Sequence, residues 1–391
     1  MARADASPRD GLATPLGVQP DGQLPLPWLA GGMAAARQLA GAHALLIHGP
    51  AGAGHFELAA LLAQSLLCEA APAGALATAC GRCASCHLVA THAHPDLRMV
   101  LPAALRVQRG WTDENDYIAP KGEAKPSREL RIDQVRAAIE WGQQTSGRGR
   151  GKVLLLHPAD ALNLSAANAL LKTLEEPPGR MRLLLTSADP EHLLPTVRSR
   201  CQRLPIALPP ADQARTWLLA QGLEAPDALL ALAGGSPLEA LAWSQEGFAP
   251  AALAALPRRV AAGDAAVLAG RPIPRVVELL LKLSHDAQVQ AAGGVPRFFA
   301  AASLPAGADP VALRAWQQAL LRVARHDDHP WSAGLLVESL VSQAAAVWPR
   351  APAGGPAGGS VSGSMGGSAG GSAGGSAGAA ARAGASLHSA R

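Results

Sequence analysis

The chain has 391 residues, with 34 Lys and Arg against 30 Asp and Glu for a formal net charge of +4, and it is 49% hydrophobic but only 3% aromatic. That length exceeds one small domain and suits two or three, while a modest charge spread along the chain makes no compositional case for nucleic-acid binding. The opening residues, with Arg3, Asp5 and Arg9, hold no apolar secretory core, and no later stretch reaches the ~18 uncharged apolar residues of a membrane span; a cytoplasmic protein with no membrane partner is expected. In that reducing compartment five cysteines do not imply disulfides, and the four clustered between Cys68 and Cys86 predict metal ligation or catalysis.

In chain order, Ala44-Leu45-Leu46-Ile47 leads into a glycine loop, Gly49 to Gly54, and then Glu57 to Leu67 with helical apolar spacing. A cysteine cluster follows, then His94-Pro95-Asp96-Leu97 and a second strand. The polar, proline-containing stretch from about Trp111 to Arg128 is expected to be a surface excursion. Leu130 to Gln143 has helical spacing. Arg148, Arg150 and Lys152, in the Gly/Arg segment Gly147 to Lys152, predict a solvated loop rather than a DNA contact, since three charges give only modest salt-dependent affinity. Val153 to Leu156 predicts a buried parallel strand. Ser165 is the expected N-cap of a helix over Ala166 to Glu176, which Pro177-Pro178 ends. Met181 to Thr186 predicts the next buried strand.

This alternation predicts an α/β domain with a mainly parallel sheet to about residue 206. Beyond it, Asp212 to Gln245 and about Pro257 to Trp348 carry apolar residues at three- and four-residue intervals, which predicts helical units. Of the 41 glycines, 13 lie in residues 351–391, where Gly/Ser/Ala repeats offer too little apolar side chain to offset ordering, so a disordered tail is expected.

Cys68, Cys80, Cys83 and Cys86 form a C-x11-C-x2-C-x2-C arrangement whose close pairs can aim several thiolates at one tetrahedral ion. Structural zinc is the leading reading; an iron–sulfur cluster, a redox dithiol and reduced core cysteines are the others. His87, His92 and His94 are near enough to replace a cysteine but read as polar surface. The glycine loop, with Gly49, Gly52 and Gly54, sits where a phosphate cradle would. A working cradle continues Lys-Ser/Thr, for phosphate and magnesium, whereas this one continues His55-Phe56. His157-Pro158 follows the next strand where a hydrolysing enzyme carries two acids, and Asp160 comes three residues late. Neither ATP binding nor ATP hydrolysis by this chain is expected.

The run Asn168-Ala169-Leu170-Leu171-Lys172-Thr173-Leu174-Glu175-Glu176-Pro177-Pro178, with Ser199-Arg200-Cys201 downstream, resembles the AAA+ clamp-loader subunits of bacterial DNA polymerase III. The degenerate phosphate loop makes it most similar to the delta-prime branch. Recognisable motifs cover about residues 24–250, and helical character alone continues to about 349. From the residues alone the run is a well-capped amphipathic helix, so the functional expectation comes from the resemblance.

The resemblance implies an α/β AAA+ domain, a parallel sheet with flanking helices, over 1–206 with a zinc module at about 66–97. It further implies a small helical lid over 207–250 and an all-α collar for oligomerisation over 251–350, before the tail at 351–391. It makes Arg200 an arginine finger acting in trans, a fixed forked cation that stabilises charge on a neighbour's γ-phosphate. Arg198 is expected to orient that loop or pair with a carboxylate, and Cys201 to be a small buried residue. Gly234-Gly235-Ser236-Pro237-Leu238 stands where ATP-binding relatives have a sensor motif ending in arginine, and Ala188 replaces a polar sensor.

The expected function is that of a non-hydrolysing stator in a hetero-pentamer with gamma/tau and delta subunits, which places the β sliding clamp on primed DNA. Adjacent subunits would hold the ATP. The assembly would sit at the nucleoid or replisome as part of a DNA-directed DNA polymerase (nucleotidyltransferase) holoenzyme. Two alternatives stand beside it: an ATP-hydrolysing gamma/tau-like subunit, and a zinc-dependent nucleic-acid-binding module, for which Arg82 is the only basic residue inside the cysteine knuckle.

Overall fold

The computed structural model describes residues 16–111, 125–325 and 332–348; most of the expected surface excursion and all of the expected tail lie outside the described residues. Five parallel strands, β1 (Ala44–His48), β2 (Leu97–Val100), β3 (Val153–Leu156), β4 (Arg182–Ser187) and β5 (Gln202–Pro205), form one sheet in the order β2-β3-β4-β1-β5. Leu46 pairs with Leu185 and Leu155 with Leu184. The three central strands are near-continuous aliphatic runs because helices cover both faces and leave no solvated side. At the edge, only Leu204 of β5 is buried, and Pro205 ends the strand where an edge tolerates a missing donor.

The helices of this part are α1 (Leu29–Arg37), α2 (His55–Leu67), α3 (Ala84–Ala90), α4 (Ala103–Gln108), α5 (Ile132–Gln143), α6 (Leu164–Glu175) and α7 (Pro195–Arg198). On one face of the sheet, α5 and α6 close a core with Leu154, Leu156, Leu183 and Leu185. On the other lies α2, all thirteen of whose residues are buried. Its polar Gln64 is accommodated by accepting from the Val18 N–H at 2.6 Å and donating to the carbonyls of Val18 and Cys86.

The cap of α6 corrects the expectation of Ser165. Asn163 is the N-cap, its Oδ1 accepting from the Ala166 N–H at 2.9 Å, and Ser165 is an exposed residue inside the first turn. Either residue type can cap; Asn163 is the one whose backbone is extended.

From residue 211 onward the described structure is helical: α8 (Ala211–Ala220), α9 (Asp227–Leu232), α10 (Pro237–Gln245), α11 (Pro250–Ala261), α12 (Ile273–Ala291), α13 (Pro310–Ala324) and α14 (Ala333–Ala345). Trp243, Trp316, Leu280 and Leu283 are buried within it. Among the described residues no helix is long and apolar enough to cross a membrane.

Candidate functional site

The strands are parallel, so their two ends define two faces of the sheet. The glycine loop follows the C-terminal end of β1, and α2 then carries the chain back, so that Cys68 caps it at the opposite end. Arg200 also lies at that opposite end, two residues before β5 begins. The expected finger and the expected phosphate loop are therefore separated by the length of the sheet, although β1 and β5 are neighbours.

The loop packs closely against the chain's own atoms at two of its glycines. Gly52 has φ +73°, and a Cβ there would lie 2.0 Å from Ser236 Oγ; that hydroxyl donates to the Gly52 carbonyl at 3.2 Å and accepts from the Glu239 N–H. A Cβ at Gly49 would meet the Ile206 carbonyl at 2.0 Å. His55 donates from Nε2 to the Gly49 carbonyl at 3.0 Å, and burial lowers its pKa below the usual histidine value.

Phe56 packs between the rings of His157, at 4.8 Å, and Trp111, at 5.8 Å, with the Arg109 guanidinium 4.1 Å above its face. Arg109 lies 3.7 Å from Glu57. His157 pairs with Thr186 Oγ1 at 2.7 Å, and burial, reinforced by Arg109 and His55, holds its imidazole neutral. Asp160 is engaged elsewhere, accepting from the Ser187 hydroxyl and from the Ala188 N–H at 3.0 Å, so it closes the end of β4. The glycine loop thus has the shape of a cradle, but neutral imidazole and phenyl rings occupy the positions that need a cation and a metal-binding hydroxyl.

Arg200 is held by Glu175, the last residue of α6, which accepts from Nε at 2.7 Å and also from Nη2; Nη1 donates to the Thr196 carbonyl at 2.8 Å. About a third of the Arg200 side chain remains exposed. Arg198 pairs with a carboxylate, Glu191, which is one of the two roles expected of it, and donates to the Pro190 carbonyl. Cys201 is buried, and burial pushes its thiol up to about 12, which fits packing rather than nucleophilic chemistry. Sequence reasoning missed Glu175 as Arg200's partner; its place in the Leu174-Glu175-Glu176-Pro177 run was the available signal.

The four clustered cysteines converge. Their sulfurs all lie within 4.8 Å of one another, with 3.9 Å between Cys80 and Cys86 and 4.0 Å between Cys83 and Cys68. Zn–S bonds of about 2.3 Å in a tetrahedron place sulfurs roughly 3.8 Å apart, so the set could hold a metal ion. Backbone N–H groups of Cys80, Cys83 and Cys86 point at the sulfurs of Cys68, Cys80 and Cys83 at 3.3–3.4 Å, an arrangement that favours thiolate. The Arg82 N–H draws the Cys80 thiol down to about 6, whereas burial pushes Cys86 up.

Two expectations near this cluster are corrected. His94 is buried, not polar surface: its Nδ1 accepts from the Asp96 N–H at 3.0 Å, which leaves Nε2 to donate to Ser85 Oγ at 3.2 Å. The loop carrying Arg148, Arg150 and Lys152 is corrected only in part: residues 147–149 are exposed, as a solvated loop would be, but its basic side chains are engaged and Lys152 is buried. Arg148 pairs with Glu69, Arg150 donates to the Ala71 carbonyl, and Lys152 is buried with its ammonium 4.1 Å over Trp141. The buried Asp96 carboxylate, accepting from Ser146, Gly147 and Arg148, gives the loop a fixed internal anchor that charge counting does not register.

Comparison with known proteins bears on the sheet-containing part. Residues 33–210 match the family model described as DNA polymerase III, delta subunit. DNA polymerase III subunit delta' of Pseudomonas aeruginosa is 43% identical over 203 residues, 51% of this chain and 55% of that protein. The same subunit of Escherichia coli is 38% identical over 208 residues, covering 52% and 55%. The tau subunit of E. coli is 32% identical over 176 residues, covering 45% of this chain and 23% of that protein. The chain spans about half the length of the delta' relatives it matches. Over residues 33–210, with its degenerate phosphate loop and its Ser-Arg-Cys triplet, this chain is similar to the delta' subunits of DNA polymerase III.

Proposed function

We propose that the protein is a non-hydrolysing, delta-prime-like stator of a clamp loader that supplies Arg200 to an ATP site on an adjacent gamma/tau-type subunit. The observation that carries this reading is the placement of Arg200. It lies at the strand end opposite the chain's own glycine loop, partly exposed, and it cannot serve a nucleotide there. A phosphate it served would have to belong to another chain.

Glu175 and the Thr196 carbonyl fix three of the guanidinium donors, so little side-chain freedom is lost when a partner's phosphate arrives. Ser236, Phe56 and neutral His157 keep the chain's own loop packed. Contacts between Arg200 and a neighbour, made only when that neighbour holds ATP, would couple nucleotide state to assembly geometry.

In this reading residues 207–250 act as a lid and 251–350 as the collar that joins gamma/tau and delta subunits, in the cytoplasm at the replisome. The complex then places the β clamp on primed DNA. Cys68, Cys80, Cys83 and Cys86 would hold zinc, which when bound supplies a structural crosslink between the end of α2 and the knuckle. The test is reconstitution with gamma/tau and delta subunits. Clamp- and primer-stimulated ATP turnover is expected only when this chain is included, and isolated protein is expected to show no ATP binding by calorimetry. Tight ATP binding by the isolated chain would favour the hydrolysing gamma/tau-like alternative instead.

A further inference from the structure

The cysteine set is assembled from two pieces of chain. Cys68 comes from the end of α2, and the other three come from the knuckle that opens α3. A residue neighbouring the cysteines on each piece is polar and engaged with the other: Glu69 follows Cys68, and the fully buried Ser85 lies between Cys83 and Cys86. Ser85 Oγ donates to Glu69 Oε1 at 2.9 Å. Into this junction comes Arg148, 63 residues beyond Ser85, with Nε donating to Ser85 Oγ at 3.0 Å and Nη2 to Glu69. Ser85 is thereby saturated, with one proton given and two accepted, from Arg148 and His94.

Arg148 is itself tied to the sheet. Its N–H donates at 2.8 Å to Asp96, which also accepts from Gly147 N–H at 2.7 Å and Ser146 Oγ at 2.9 Å, while the Asp96 carbonyl accepts from Val153, the first residue of β3. A continuous path of hydrogen bonds therefore runs from β3 through Asp96 and Arg148 to both halves of the cysteine set.

We propose that Arg148 is a positioning residue for the metal site, a fork that clamps the Cys68 side to the knuckle so that metal retention and the order of loop 146–152 are linked. The effect is preorganisation: with Glu69 and Ser85 joined, the four sulfurs stand near ligating separation before a metal arrives, and a departing metal must wait for the two pieces to part. Linkage is reciprocal, so a bound metal also holds the fork's loop. Lysine cannot replace arginine here, because a single ammonium on a flexible stem does not present the planar fork that reaches Ser85 and Glu69 together.

The inference rests on the metal-binding reading of the four cysteines, and the experiment separates the two. Full-length protein is loaded with zinc and its release to an excess of chromogenic chelator is timed for wild type, Arg148→Ala, Arg148→Lys, Glu69→Gln and the remote control Arg215→Ala. Far-UV circular dichroism reports folding. Wild type is expected to carry one zinc; failure to bind zinc overturns the metal reading and the proposal with it.

With zinc bound, Arg148→Ala and Arg148→Lys are expected to release it roughly 10-fold faster, Glu69→Gln severalfold faster, and Arg215→Ala at the wild-type rate. Amide exchange across residues 146–152 is expected to quicken when wild type is stripped of metal. Release within twofold of wild type for both Arg148→Lys and Glu69→Gln overturns the clamp, and equal exchange in loaded and stripped protein overturns the linkage. If Arg148→Ala does not fold, the lysine and Glu69 variants decide.

Discussion

His157 is packed against Phe56 with a positively charged Arg109 in its surroundings, so burial and that charge favour its neutral imidazole. Its pKa is depressed well below the ordinary value of 6.5, and His55 and His94 are depressed by burial in the same direction. The sign of the pH effect follows. Above pH 6.5 both folded and unfolded chains carry these groups neutral; below it the unfolded chain takes up protons that the folded chain refuses, and stability falls. The melting temperature is expected to drop between pH 7.5 and 5.5, and His157→Phe is expected to flatten that slope; an unchanged slope would show that His157 titrates normally. At the same scale, Glu175→Ala is expected to leave the fold intact and lower partner-dependent ATP turnover several-fold, with Glu175→Gln retaining more because it still offers an acceptor to Arg200. Steady-state turnover in the reconstituted complex measures both.

Helix α6 shows what a cap and a breaker do for an element. Asn163→Ala is expected to cost about 1 kcal/mol in denaturant unfolding, whereas Ser165→Ala, at an exposed site in the first turn, should cost little. The helix and its proline stop were legible in the sequence because apolar spacing and Pro177-Pro178 act locally; the capping residue was not, because Asn163 and Ser165 are chemically equivalent until the backbone path chooses. Strands β1, β3 and β4 were legible as aliphatic runs for the same reason that they are buried on both faces. Strand β5, with one buried residue in four, offers no pattern to read. The four cysteines announced their convergence through spacing, while the Glu69–Ser85–Arg148 junction depends on contacts 63 and 79 residues apart and is invisible before folding. Metal removal belongs to this scale as well: chelation is expected to lower the melting temperature and loosen α3, and a chain whose melting is indifferent to chelator would argue against a structural metal.

Across the molecule, the segment Gly234 to Pro237 is gripped from both sides. Ser236 holds Gly52 of the glycine loop, while Arg297 donates to the Gly234 carbonyl and Arg275, from α12, binds Glu239, Glu246 and Glu278 with its guanidinium 4.1 Å over Trp243. Asp286, fully buried on the same helix, accepts from the N–H groups of Arg297, Phe298 and Phe299. The contacts join the glycine loop to α10 and α12, which suits the fixed shape that the proposed stator role requires. Arg275→Ala is expected to destabilise the chain by on the order of 1–3 kcal/mol in denaturant unfolding, because three carboxylates lose a shared, largely buried partner; no measurable change would mean that this network does not brace the helices. The central claim is that a chain with a packed phosphate loop lends a cation to another chain's phosphate. It is tested most directly by ATP turnover of the reconstituted gamma/tau–delta complex containing Arg200→Ala: the account predicts intact assembly with turnover reduced about tenfold or more, and turnover equal to wild type in a fully assembled complex would contradict it.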